Sequence, residues 1–170
     1  VGMAIDLMTV PQDLALAVET ILGASAQDIV VDNARDAQSA IEYLQRNRLG
    51  RATFLPLDRI QPPRRLNQNF RTYPGVLGEA VDLVSYEPGY RVAMEHLLAG
   101  ILVVDNLNLA RELAGRAARG VKIVTLEGDV VRPSGSMTGG HGRPQRPGSV
   151  PRNAALAHVS SQHLAACRRQ

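Results

Sequence analysis

"AVDLVSYEPGYRVAMEHLL", residues 80–98, echoes "AIDLMTVPQDLALAVETIL", residues 4–22, at a constant spacing of 76. Asp6-Leu7 falls on Asp82-Leu83, and Ala17-x-Glu19 falls on Ala93-x-Glu95. Moving outward, "IVVDNARDA" (29–37) is answered by "LVVDNLNLA" (102–110), and "RLGRATFL" (48–55) by "RGVKIVTL" (119–126). The order is the same both times: apolar segment, helix, short strand ending in Asp-Asn, helix, strand. One such match could be chance; several in a shared order indicate a duplicated α/β unit, in too few copies for a solenoid.

Each piece has a local physical reason. Val30-Val31 reads as a short buried strand, and Asp32 or Asn33 is placed to accept the free N–H groups of the helix that follows. Ala37, Ala40, Ile41 and Leu44 recur at three- and four-residue steps and predict one apolar helical face. In the second copy Asp105 or Asn106 caps, and Leu109, Ala110, Leu113 and Ala117 make the stripe. "ATFLPL" (52–57) and "VKIVTLEGDVV" (121–131) read as β segments, with a turn or bulge at Gly128-Asp129. The expected class is therefore α/β with α+β mixing, as two similar lobes: residues 1–57, then a linker over 58–74, then 75–148, then a tail over 149–170. Pro62, Pro63 and Pro74 exclude a regular helix from the linker, whose Arg59, Arg64, Arg65 and Arg71 read as a solvated basic face. The tail turns helix-like at Ala154, Leu156, Ala157, Val159 and Leu164 without a clean heptad.

Composition narrows the function classes. The chain has 170 residues, 45% of them hydrophobic and 21% charged, ordinary for a globular domain. It has no Trp and 4% aromatic residues, which argues against a base-stacking platform. No apolar run is long enough to span a bilayer, so no membrane partner is expected, and no signal peptide is read at the start. Cys167 is the single cysteine, which excludes an internal disulfide and suits a cytoplasmic setting. Charge is uneven. Residues 1–129 carry 13 Arg and Lys against 16 Asp and Glu, net −3, whereas residues 130–170 carry six Arg and no acid, net +6. Such a tail either attracts polyphosphate or simply solubilises the chain.

Catalytic signatures are mostly missing. Gly135 and Gly140 have P-loop spacing, but His141-Gly142 stand where Lys-Ser/Thr must be. His96, His141, His158 and His163 show no metal spacing, so no metal or cofactor is expected. There is no G-x-S-x-G, and Asp32/Asn33 and Asp105/Asn106 sit at strand-to-helix junctions, as caps do. What remains is "GDVVRPSGSMTGG" (128–140), a strand entering a surface poor in side chains. Glycine there lets another backbone come close, which would suit a strand edge pairing with a second copy in a two-fold dimer. A loose tether before the arginines, or an anion-binding nest in an α/β ligand-binding or enzymatic domain, also fits the residues.

"TLEGDVVRPSGSMTGG" (125–140) together with "GRATFLPL" (50–57) resembles the hinge domain of structural maintenance of chromosomes (SMC) proteins, bacterial chromosome-condensation type; residues 75–107 and the N-terminal copy support this, and the resemblance covers residues 1–148. It implies a hinge at the far end of a long coiled coil whose other end bears an ATPase head. It also implies a toroid-like homodimer with β strands joining across the chains, the N-terminal half of one meeting the C-terminal half of the other. The hinge itself would be no enzyme; the whole protein would bind ATP, act in chromosome condensation and segregation, and associate with the nucleoid. The family pattern G-x6-G-x3-GG-x3-GG is matched by Gly128, Gly135, Gly139 and Gly140, while its last pair falls on Pro144-Gln145 and is absent. The implied dimer interface is Gly128, Gly135, Ser136, Met137, Thr138, Gly139 and Gly140, with Val130 and Val131 adding apolar contact. Arg143, Arg146 and Arg152 stand near where the family carries DNA-binding lysines, which implies weak phosphate contact. The tail does not look like charged heptads, so whether a coiled-coil arm starts there stays open. With Val1 leaving almost no incoming arm, the chain reads as an excised domain.

Overall fold

A computed structural model of the chain describes residues 1–116, 118 and 120–140. The first copy of the repeat contributes β1 (Gly2–Met3), β2 (Met8–Thr9), α1 (Ala15–Leu22), β3 (Ile29–Val31), α2 (Ala34–Asn47) and β4 (Phe54–Pro56). The second contributes β5 (Val76–Glu79), β6 (Ser85–Tyr86), α3 (Arg91–Leu98), β7 (Ile101–Val104), α4 (Leu107–Gly115), β8 (Lys122–Thr125), β9 (Val130–Val131) and β10 (Met137–Thr138). Short 3-10 turns fill several of the connections.

The repeat is visible as architecture. In each copy a helix leads to a strand, then to a second helix, then to a strand parallel to the first: β3 beside β4, and β7 beside β8. One sheet runs β1-β3-β4, the other β10-β9-β8-β7-β5. A third, two-stranded ribbon ties the lobes together, with Thr9 opposite Ser85 and Met8 opposite Tyr86. Thr9 and Ser85 are 76 residues apart, the spacing of the repeat, so the chain pairs a residue with its own duplicate.

Both helix starts behave as their sequence demands. The Asn33 side chain accepts from the Asp36 N–H at 2.9 Å, and the Asn106 side chain accepts from the Leu109 N–H at 2.9 Å. In each pair the asparagine is the cap and the aspartate precedes it.

Two cores form. The larger crosses both lobes: Val18, Ile21, Leu22, Val30 and Leu55 pack with Val81, Met94, Leu98, Val103, Val124 and Val130. Each such side chain taken from water contributes roughly 1.5–3 kcal/mol, so the lobes stabilise one another. The smaller core lies between the second sheet and α4, through Leu102, Val104, Ala110, Leu113, Ile123 and Val131, and is closed by Leu66 and Phe70 of the linker. α2 has no such cover. Of its expected stripe only Ala37 is buried; Ala40 and Leu44 are half-buried, and Ile41 is 41% exposed. The helical period is the expected one, but among the described residues no second layer lies over that face, because the linker covers the other copy. Ala117 of the α4 stripe lies outside the described residues.

The four linker arginines are all exposed, as a solvated basic face requires, but two of them are also paired with acids of the second lobe. Arg65 donates from Nε to Glu79 at 2.9 Å and from Nη2 to both oxygens of Asp82 at 2.6 and 2.7 Å. Arg71 reaches Asp82 at 2.6 Å. Glu79 is 3% exposed and also accepts the Gly100 N–H at 2.7 Å. A buried carboxylate must be paired and hydrogen-bonded; Arg65 does this, and its own pKa is held above the usual value, chiefly by the Glu79 hydrogen bond. The two arginines clamp the linker onto the second lobe.

Candidate interface at two free strand edges

The glycine-rich segment folds as a hairpin. β9 and β10 pair antiparallel, Val131 opposite Met137 and Val130 opposite Thr138. The Arg132 N–H donates to the Ser136 carbonyl at 2.9 Å, and the Gly135 N–H closes the turn on the Arg132 carbonyl at 2.9 Å. Gly135 sits at φ +88°, where a side chain would be strained. The Ser136 N–H turns inward to the Ser134 hydroxyl at 3.4 Å. The N–H groups of Arg132, Gly135 and Ser136 are thereby used inside the turn and are not offered to an outside anion.

β10 is the outermost strand of its sheet. In an antiparallel ladder residues alternate between facing the partner strand and facing away. Ser136 faces β9, so Thr138 does too, and Met137 aims both its N–H and its C=O off the open edge. Its side chain is 49% exposed, and Ser136, Thr138, Gly139 and Gly140 are exposed beside it.

A second edge, like that of β10 unpaired among the described residues, lies on the other lobe. β4 is outermost in the β1-β3-β4 sheet. The Ile29 N–H donates to the Thr53 carbonyl and the Leu57 N–H to the Val31 carbonyl, both at 2.9 Å, so 53, 55 and 57 face β3 and Phe54 faces away. Against this edge Ile41, Leu44, Gln45, Gly50, Arg51 and Ala52 line a cleft of about 410 Å³. It is floored by the uncovered face of α2. Sequence reading assigns no interface residue here. The signal is present in the Ile41 and Leu44 stripe, but not the fact that nothing among the described residues covers it.

The glycines separate by cause. Gly128 turns between β8 and β9 at φ +84°, and a Cβ there would press on Thr20 and Leu16 of α1. Gly139 lies directly across the hairpin from Asp129, where a Cβ would collide with the Asp129 carboxylate. That carboxylate accepts from the Thr125 hydroxyl at 3.2 Å, which fixes it in place. Gly128, Gly135 and Gly139 are thus each required by the chain's own folding. Gly140, at φ +118°, shares with Gly135 a positive φ and open space among the described residues where a Cβ would stand, so the bareness of both faces outward. Val130 and Val131 are buried in the two cores rather than offered at the surface. Arg143, Arg146 and Arg152 lie outside the described residues.

The family model described as SMC proteins Flexible Hinge Domain matches residues 1–114. The chromosome partition protein Smc of Bacillus subtilis is 39% identical over 164 residues, covering 95% of this chain and 14% of that protein. Its counterpart in Desulfitobacterium hafniense is 43% identical over 140 residues, covering 82% of this chain and 12% of that one. The chain therefore spans about a seventh of the length of these relatives. Among solved structures, an asymmetric dimer of the Geobacillus stearothermophilus SMC hinge domain superposes with a TM-score of 0.77 at 41% identity, covering 95% of this chain and 66% of that one. The Pyrococcus furiosus SMC hinge domain gives 0.71 at 33% identity, covering 89% and 78%.

Proposed function

The chain belongs to the SMC hinge family, and from that premise we propose that it is the homodimerisation hinge of a chromosome-partitioning SMC protein. The observation that carries this is the pair of open edges, β10 on one lobe and β4 with its apolar cleft on the other. The β10 edge of one copy adds to the β4 edge of a second, and a two-fold axis repeats the contact. Main-chain hydrogen bonds supply affinity, and Met137 entering the Ile41–Leu44 cleft supplies apolar burial. The relative from Geobacillus stearothermophilus is itself described as a dimer.

In this reading the interface comprises Gly135, Ser136, Met137, Thr138, Gly139 and Gly140 against residues 50–54 and α2 of the partner, with Gly128 setting the hairpin from behind. The domain is mechanical rather than catalytic, and ATP hydrolysis belongs to other parts of the full-length protein. Contact with DNA is weak, runs through phosphates, and uses Arg143, Arg146 and Arg152 at the nucleoid. The test is the mass in solution: light scattering at micromolar concentration is expected to give twice the 18.3 kDa of the chain, and a monomer there refutes the proposal.

A further inference from the structure

Lys122 is the sole lysine of the chain, and the fold places it beside another cation. β8 and β9 pair Ile123 with Val131, so the next rung sets Lys122 directly opposite Arg132. Arg132 in turn stands opposite Ser136 across the hairpin. Cross-strand partners share a face, so Lys122, Arg132, Ser136 and Thr138 line one side of the sheet. The Arg132 guanidinium is held there by the Thr138 hydroxyl, its Nη1 donating at 2.6 Å.

Like charges opposed across a ladder are unfavourable, and here nothing offsets them. Neither residue has a carboxylate within ion-pair distance among the described residues. The hairpin's one acid, Asp129, lies on the opposite face against Gly139 and Thr125. Residues 141–170 contain no Asp or Glu, so the tail has no acidic side chain to offer. Half-burial of Lys122, with Arg132 beside it, pushes its ammonium below the usual lysine range.

We propose that Lys122 and Arg132, with the Ser136 and Thr138 hydroxyls, form a phosphodiester-binding site for nucleic acid on the hairpin face of the second lobe. Two adjacent cations with hydroxyls on the far side of Arg132 match the charge and hydrogen-bonding of a backbone phosphate. The site rests on the weak DNA contact proposed above and deepens it by giving it a seat on the sheet.

The single lysine makes the test direct. Reductive ¹³C-methylation of the whole chain yields one ε-amine signal besides the N-terminus. That signal is expected to shift saturably with a duplex oligonucleotide and to stay put with millimolar inorganic phosphate. No shift while the chain binds the duplex overturns the site; a shift with phosphate alone overturns the nucleic-acid assignment. In parallel, Lys122→Gln with Arg132→Gln is expected to weaken duplex binding and to reduce the salt slope by about 0.9 for each phosphate that is no longer neutralised. The assembly measured by light scattering stays unchanged. An unchanged slope, or weakened self-association at unchanged DNA affinity, overturns the proposal, the latter by placing the pair against a partner carboxylate. A wild-type chain that binds no duplex also overturns it, and removes the DNA part of the functional reading as well; loss confined to an Arg143/Arg146/Arg152 triple variant leaves that reading standing and sinks this site alone.

Discussion

Met137→Pro isolates the edge-pairing mechanism from folding. Within the chain the Met137 N–H faces away from β9, so the hairpin ladder loses no bond when proline removes it. Proline is tolerated on an edge strand in this orientation. In the dimer that N–H would meet a carbonyl on the partner's β4 edge. Its loss removes that bond and leaves a desolvated acceptor, at a cost of about 1–3 kcal/mol. The two-fold axis repeats the event, so the dimer is weakened by about 2–6 kcal/mol in all. At about 1.4 kcal/mol per decade this raises Kd by about 30-fold to 10⁴-fold. Light scattering over a dilution series reads Kd, and thermal unfolding followed by circular dichroism reads the monomer. Met137→Leu, which keeps the N–H and the apolar side chain, is expected to dimerise as the parent does. A Met137→Pro chain that melts normally and still dimerises within about threefold of the parent refutes edge pairing through β10.

Three further outcomes follow from the same geometry. Ile41→Glu sets a carboxylate in the cleft beside β4 and is expected to weaken dimerisation while leaving monomer stability within about 0.5 kcal/mol, as for an exposed site; equal dimer affinity would remove α2 from the contact. Gly139→Ala drives a Cβ into the Asp129 carboxylate and is expected to cost about 1–3 kcal/mol of folding stability in urea titration, with partial recovery when Asp129→Ala is added. Burial raises the Asp28 carboxyl above its usual value, against smaller opposing effects from Ser25 and His96. The folded state thus binds that proton more tightly than the unfolded chain, and stability is lost as pH rises from 3.8 through the folded value. Asp28→Asn is expected to stabilise at neutral pH, with the gain vanishing below pH 3.8; no gain at neutral pH in denaturant melts would contradict this.

The parts of the fold legible in the sequence are those whose causes are local or periodic. The caps at Asn33 and Asn106 need only a short polar side chain beside a helix start, and the strand containing Val30-Val31 needs only an apolar run. The duplication is legible because both copies keep their order. What stays hidden depends on neighbours far along the chain. Arg65 is solvent-facing as read, but its pairing with Glu79, a buried acid on a strand, is not legible from the sequence. Gly139 reads as a place for a second backbone until the hairpin register puts Asp129 against it. The N-terminal half of the candidate interface is invisible for the same reason: a helical stripe at Ile41 and Leu44 announces burial but not by what.

The ribbon joining Thr9 to Ser85 has a geometric consequence. Unlike edges on two sheets of one molecule can add copies head to tail, and whether such growth stops at two or runs on as a filament depends on the angle at which each molecule presents its edges. Two rungs of backbone, Met8–Tyr86 and Thr9–Ser85, hold that angle together with the core that crosses both lobes. A change there would touch neither edge, yet would bear on the choice between a ring and an open polymer.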